Sequence, residues 1–253
     1  MKITFLGTGT SQGVPVIGCT CEVCRSLDYR DKRLRTSVHI DVDGVSLVID
    51  TGPDFRQQML RERVPRLDAI LFTHGHKDHT AGLDDVRAYN FMQGQDMPVY
   101  GEQHTLAQLR VEFSYAFEPV RYPGIPQLNL IEINDAPFTA AGINIIPLPV
   151  THLRLPVLGF RIGDFSYITD ANHISDETIA KLKGTKVLVL NALQKDKHVS
   201  HFTLAEALVM AERIGAEKTY FTHMSHKIGL HKDVEAELPG TIALAYDGLA
   251  VTL

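Results

Sequence analysis

The segment Thr73-His74-Gly75-His76-Lys77-Asp78-His79-Thr80 constrains the chain more than any other, because it packs three histidines and an aspartate into six residues. It follows an apolar run, Ala69-Ile70-Leu71-Phe72, that reads as a buried strand. Neither the period of a strand nor that of a helix converges residues spaced 0, 2, 4 and 5. A strand-to-helix turn can, since its side chains radiate from one short arc of backbone. Imidazole nitrogens and a carboxylate are suitable ligands for first-row metal ions. The spacing therefore predicts a metal centre, against the blander alternative of a polar loop with chance histidines.

Composition narrows what that centre can serve. The 253 residues are 44% hydrophobic and 22% charged, close to globular averages, which rules out global disorder. Lys+Arg 25 against Asp+Glu 30 leaves a net charge of −5, a poor match to a protein that grips a nucleic-acid backbone. No apolar stretch approaches the roughly 20 residues of a membrane helix, so no membrane partner is expected. The opening Met1-Lys2-Ile3-Thr4-Phe5-Leu6 is apolar for too few residues to be a signal peptide, which points to the cytoplasm.

Short β-branched runs alternate with helical segments along the whole chain. Strands are expected at 3–6, 37–42, 46–49, 69–73, 98–100, 128–132, 143–147, 159–162, 165–169, 187–191, 218–222 and 243–245. Asp43-Gly44 marks a hairpin turn. Helices are expected at 55–63, 79–92, 105–117, 176–182, 204–214 and 232–238. Leu204, Leu208, Ala211 and Ile214 share one face of the fifth, and Gly215 stops it. No linker or repeat interrupts the pattern. The expectation is one α/β domain over 1–253, an αββα sandwich of two mixed sheets with outer helices.

All three cysteines fall in Cys19-Thr20-Cys21-Glu22-Val23-Cys24, inside a loop spanning 18–25. An odd, tightly spaced set argues against disulfides and for a reduced compartment. Three thiolates need a fourth ligand for the tetrahedral site of a structural zinc, and His226 is the natural candidate. Three independent buried or oxidisable thiols are the competing reading.

The HxHxDH pattern at a strand end resembles the signature of the metallo-β-lactamase superfamily. Other segments resemble that superfamily's remaining motifs: Leu47-Val48-Ile49-Asp50-Thr51-Gly52, Leu148-Pro149-Val150-Thr151-His152, Tyr167-Ile168-Thr169-Asp170 and Phe221-Thr222-His223. The resemblance implies one metal on His74, His76 and His152, and a second on Asp78, His79 and His223. Asp170 would bridge the two, with Asp50 supporting the site from behind. His and carboxylate ligands without thiolate suit manganese, zinc or iron.

The cysteine set and Thr222-His223-Met224-Ser225-His226 resemble the branch that holds the phosphodiesterase of the carbon–phosphorus lyase pathway. So do Leu6-Gly7-Thr8-Gly9-Thr10-Ser11-Gln12-Gly13-Val14-Pro15 and Tyr246-Asp247-Gly248-Leu249. That branch implies a structural zinc and a homodimer, and it implies a catalytic role for His201. Within the sequence, Ser200 or Thr203 could instead cap the following helix and leave His201 incidental. The branch would carry an acid where Asn191 stands. The basic run Arg30 to Arg35 reads as a solvated loop, and His39, His104, His173 and His231 as structural or surface histidines.

The function expected is a dinuclear-metal hydrolase that cleaves a small cyclic or strained phosphodiester by attack of metal-bridging hydroxide. Asp78 and His201 are the expected catalytic residues, His201 as the acid for the leaving oxygen. Two alternatives stand beside it: a tRNA 3′-processing endonuclease of the same superfamily, and a metal-dependent binding factor without turnover.

Overall fold

A computed structural model describes residues 1–118 and 123–253, and its strands assemble into two seven-stranded sheets. The first runs, in spatial order, Ala250–Thr252, Lys2–Gly7, Ser37–Val42, Val45–Ile49, Ala69–Leu71, Met97–Gly101 and Leu128–Glu132. The second runs Ile242–Leu244, Lys218–Thr222, Val187–Asn191, Phe165–Tyr167, Leu155–Ile162, Ile143–His152 and Phe138–Ala140. Both sheets are mixed. Hairpin neighbours pair antiparallel, as Lys2–Gly7 does with both Ser37–Val42 and Ala250–Thr252, and the strands joined through the longer helices pair parallel.

The expected αββα sandwich is the observed fold, and its three apolar layers explain it. Ile3, Phe5, Ile40 and Ile49 of the first sheet meet Leu158, Phe160, Phe165 and Val189 of the second in a central core. A second core lies beneath the helices Asp176–Leu182, Leu204–Ile214 and His231–Glu237, and includes Leu188, Leu190, Ala207 and Phe221. A third lies under Phe55–Glu62, Arg87–Gln93 and Gln103–Glu112, built on Phe55, Ile70, Val99 and Leu109. Central strands with apolar contacts on both faces read as continuous hydrophobic runs, and Val187–Leu190 is one of them.

Local chemistry sets the element ends. Thr203 caps Leu204–Ile214 in a reciprocal box with Glu206, and Gly215 closes the helix at φ 71°. Asp43 and Gly44, at φ 52° and 87°, make the two-residue hairpin between Ser37–Val42 and Val45–Ile49.

Three expectations need correction. The helix expected over 79–92 is broken into Lys77–Thr80, a 3₁₀ turn at Leu83–Val86, and Arg87–Gln93. The break is imposed from outside: Gly82 N–H donates to Thr51 O, and a Cβ on Gly82 would lie 2.1 Å from Gly52 O. Strands Phe138–Ala140 and Ala250–Thr252 escape detection because three residues carry no readable period. The basic run is not a solvated loop. Arg33 is fully buried with its guanidinium 3.5 Å from Asp31, Arg35 pairs with Asp54, and Arg30 pairs with Asp28.

Candidate metal centre

Strand ends gather the histidines. His74, Asp170 and His223 lie just beyond Ala69–Leu71, Phe165–Tyr167 and Lys218–Thr222, while His152 ends the long strand from Ile143. Asp50, Asp170 and His223 adopt left-handed backbone at φ 64°, 54° and 56°. Non-glycine residues rarely sit there, and such strain concentrates at functional sites. Each of these three side chains is almost wholly buried.

One cluster comprises Asp78, His79, Asp170 and His223. His79 Nε2 lies 3.2 Å from Asp78 Oδ2 and 3.3 Å from Asp170 Oδ2. His223 Nε2 lies 3.2 Å from Asp170 Oδ1 and 3.6 Å from Asp78 Oδ2. Behind it, Asp50 accepts hydrogen bonds from Thr73 N–H at 2.9 Å, Thr73 Oγ at 2.8 Å and His79 Nδ1 at 2.7 Å. That last contact fixes His79 with Nε2 facing the cluster.

His74 and His76 converge beside it, Nε2 to Nδ1 at 2.9 Å, with the ring of His74 4.2 Å from that of His79 and the ring of His152 5.9 Å and 5.3 Å from those of His74 and His76. His152 donates from Nδ1 to Ser200 O at 2.8 Å, which frees Nε2 for the site. A further donor group joins His152 and Asp170 to His201, whose Nε2 is 3.0 Å from Asp170 Oδ1. His201 thus sits on the same carboxylate as His79 and His223. Thr203 caps the helix, as the competing reading had it, while His201 faces Asp170.

The second constellation is compact. Sγ of Cys19, Cys21 and Cys24 lie 3.3, 3.3 and 3.4 Å from His226 Nδ1. One ring nitrogen carries at most one proton and cannot bond three sulfurs through it. Hydrogen bonding within the loop splits the thiols: the Cys24 N–H draws Cys21 down to about 6, while burial pushes Cys24 up to about 11.

Both donor sets fit divalent cations. Ligands about 2.0–2.3 Å from a tetrahedral ion stand about 3.3–3.8 Å apart, and most of these contacts fall in or near that range. His79 Nε2 and both nitrogens of His223 are buried without hydrogen-bond partners among the described residues. Burial keeps His74 far below its ordinary range, hence neutral and able to coordinate. Burial opposes the charge on His79, yet Asp78, Asp170 and Asp50 outweigh it and push its titration well above the ordinary range. Burial likewise opposes Asp170, but His223 and His79 hold its carboxyl well below the usual range. The carboxylates demand positive charge at this spot, which a cation supplies without a proton.

Residues 46–224 match the family model described as a β-lactamase superfamily domain, and the chain belongs to the metallo-β-lactamase superfamily. Within it the chain is PhnP-like. A crystal structure described as a new diphosphatase from the PhnP family superposes with a TM-score of 0.93 at 41% identity, covering 99% of this chain and 96% of that one. An octanoyltransferase of Porphyromonas gingivalis is 42% identical over 252 residues, 98% of this chain and 51% of that protein. The chain spans about half the length of that curated relative. Zn(2+)-bound PqqB from Methylobacterium extorquens shares the fold, with a TM-score of 0.78 at 21% identity and full coverage of both chains.

Some contributors carried no sequence signal. Ser200 acts through its carbonyl, which any residue could supply. Asn191 accepts from Ala171 N–H at 2.8 Å and donates to Ala171 O at 2.9 Å, pinning the turn that presents Asp170. Gly52 lies so close to the ligand turn that a Cβ would stand 2.2 Å from Asp78 O.

Proposed function

We propose that this chain is a dinuclear metal-dependent hydrolase that opens a P–O bond of a small phosphodiester. Cyclic phosphodiesters fall within that class, and the name of the PhnP-family diphosphatase makes a diphosphate the second substrate to test. The observation that carries the reading is Asp170, whose Oδ1 is approached by His223 and His201 and whose Oδ2 is approached by His79.

In this reading His74, His76 and His152 hold one ion, Asp78, His79 and His223 the other, and Asp170 contributes to both. Manganese, zinc or iron suits these donors. Such a pair of ions supplies, when bound, an acidified water and positive charge against the phosphoryl oxygens. Asp78 contributes a further oxygen, Oδ1, which accepts no hydrogen bond from the described residues and can orient the attacking water. Water oxygen bonds to phosphorus, and the P–O bond to the leaving group breaks with its electron pair on the departing oxygen. His201 Nε2 delivers a proton to that oxygen, while the proton of the water passes to solvent. Burial pushes His201 down to about 4 even with Asp170 beside it, so the ring is neutral at rest. The negative charge of a bound phosphoryl group raises it toward the protonated form. Cys19, Cys21, Cys24 and His226 hold a structural zinc that fixes the loop leading away from His223.

Turnover of bis(p-nitrophenyl) phosphate by metal-loaded protein, against chelator-stripped protein, tests the reading. Five-membered cyclic phosphates, a diphosphate diester and a tRNA precursor complete the panel. Metal-dependent cleavage of the small esters with the tRNA precursor untouched is the expected result. Stoichiometric metal without turnover of any substrate would favour a binding factor instead.

A further inference from the structure

The three histidines assigned to one ion have unequal support behind them. His152 Nδ1 donates to Ser200 O at 2.8 Å, and His74 Nδ1 lies 3.0 Å from Thr73 Oγ. His76 turns Nδ1 toward His74, and its Nε2 bonds nothing among the described residues. A ligating imidazole is ordinarily aimed by a partner on its other nitrogen. His76 is therefore aimed by its backbone, and one helix holds the residues on either side of it.

That helix is Gln103–Glu112, anchored in the third core by Leu106 and Leu109. Gln108 Nε2 donates to Gly75 O at 2.6 Å and to Glu112 Oε1 at 2.7 Å, which uses both amide hydrogens. Glu112 Oε1 also pairs with Lys77 Nζ at 2.7 Å. Ligands and braced residues thus alternate along the turn, His74, His76 and Asp78 against Gly75 and Lys77. Gly75 does not adopt a left-handed backbone, so that is not why glycine stands there. A Cβ at this position would lie 2.3 Å from Gln108 Oε1, and glycine leaves the space that the amide fills. The Lys77 side chain is 65% exposed, and an exposed ion pair contributes little. Gly75 is buried, so the amide bond to its carbonyl is the stronger hold.

We propose that Gln108 is a positioning residue for the metal centre: its amide, oriented by Glu112, fixes the turn that aims His76 at the ion it shares with His74 and His152. The proposal rests on the two-ion reading above and not on which ester is cleaved. Each ion then has its own brace, Gln108 on the turn of His76 for one and Asp50 behind His79 for the other. Loss of one brace should weaken one ion and spare its neighbour.

The test compares wild type with Gln108→Met, which keeps the length of the side chain and loses both donors. Zinc affinities are read by chelator competition on the full chain, where an ion on the cysteine cluster is an internal reference that should not move. In Gln108→Met one ion of the centre should weaken about 10-fold, with the other unchanged to within about 2-fold. A merely structural contact would weaken both together and lower the melting midpoint of the metal-free protein. Gly75→Ala, which displaces the amide, should weaken the same ion. Combining it with Gln108→Met should add less than about 2-fold, because both changes remove one contact. Unchanged affinities, equal weakening of both ions, or losses that add in the double variant each overturn the proposal. If wild type holds a single ion at the centre, the two-ion reading fails. Weakening of that ion by about 10-fold in Gln108→Met would still support the brace, and equal affinity would overturn it. A centre that holds no ion overturns both.

Discussion

Asp50 Oδ2 lies 2.7 Å from His79 Nδ1, and both side chains are fully buried. A carboxylate behind a ligating imidazole sets its tautomer and raises its basicity. Asp50→Asn keeps the shape but loses the charge. Metal affinity at the site of Asp78, His79 and His223 should fall by about 10- to 100-fold, read by competition with a chelator. Unchanged affinity would show that His79 is oriented by something other than Asp50.

The cysteine cluster carries a prediction on stoichiometry and stability together. Cys21→Ser should lower bound zinc by about one ion per chain and lower the thermal midpoint, since structural zinc binding contributes directly to folding free energy. Metal analysis and a melting curve on the same sample decide it. Full zinc content with an unaltered midpoint would remove Cys19, Cys21, Cys24 and His226 as a zinc site.

His201→Ala isolates the proton donor. On a substrate with an alkoxide leaving group kcat should drop about 10²–10⁴-fold with metal content intact. On p-nitrophenyl esters the drop should be much smaller, because that leaving group needs little protonation. Equal losses on both substrates would assign His201 to phosphate binding. Loss of metal in the variant would instead make it a ligand beside His152 and Asp170, the group it shares in the structure.

Asp247, not one of the metal donors, also makes stability depend on pH. It accepts hydrogen bonds from Thr8 Oγ and Leu34 N–H, both at 2.8 Å, and burial pushes its carboxyl up from 3.8 to about 6. A carboxyl raised on folding stabilises the fold below its unfolded value, and that contribution is lost as pH rises through its folded value. Wild-type stability relative to Asp247→Asn should therefore fall by about 3 kcal/mol between about pH 4 and pH 7. Denaturant midpoints of the two proteins across that range provide the check. A difference that stays flat or grows with pH would place the shift elsewhere.

Much of the architecture was legible because it rests on local pattern. Val187–Asn191 and Lys218–Thr222 are apolar runs of strand length, and Leu204–Ile214 has its cap, stripe and terminal glycine in order. The helix over 79–92 misled for the opposite reason. Its residues favour a continuous helix, but Gly82 is held against Thr51 and Gly52 from a different strand end, and that contact decides the backbone.

The metal centre divides along the same line. Residue type and spacing alone mark His74, His76, Asp78 and His79 as donors, because a single turn must hold all four within one small volume. Asp170, His201 and His223 meet where neighbouring strands of the second sheet end, and His79 reaches Asp170 only once the first sheet closes on the second. Arg33, inside what reads as a solvated basic run, is buried as well, with its backbone paired to Val14. Sequence determines which groups can ligate, titrate or donate, since those are properties of side chains and of neighbours a few residues away. Only the tertiary structure decides which of them face one another, because contacts between residues tens of positions apart or more depend on how strands and sheets pack.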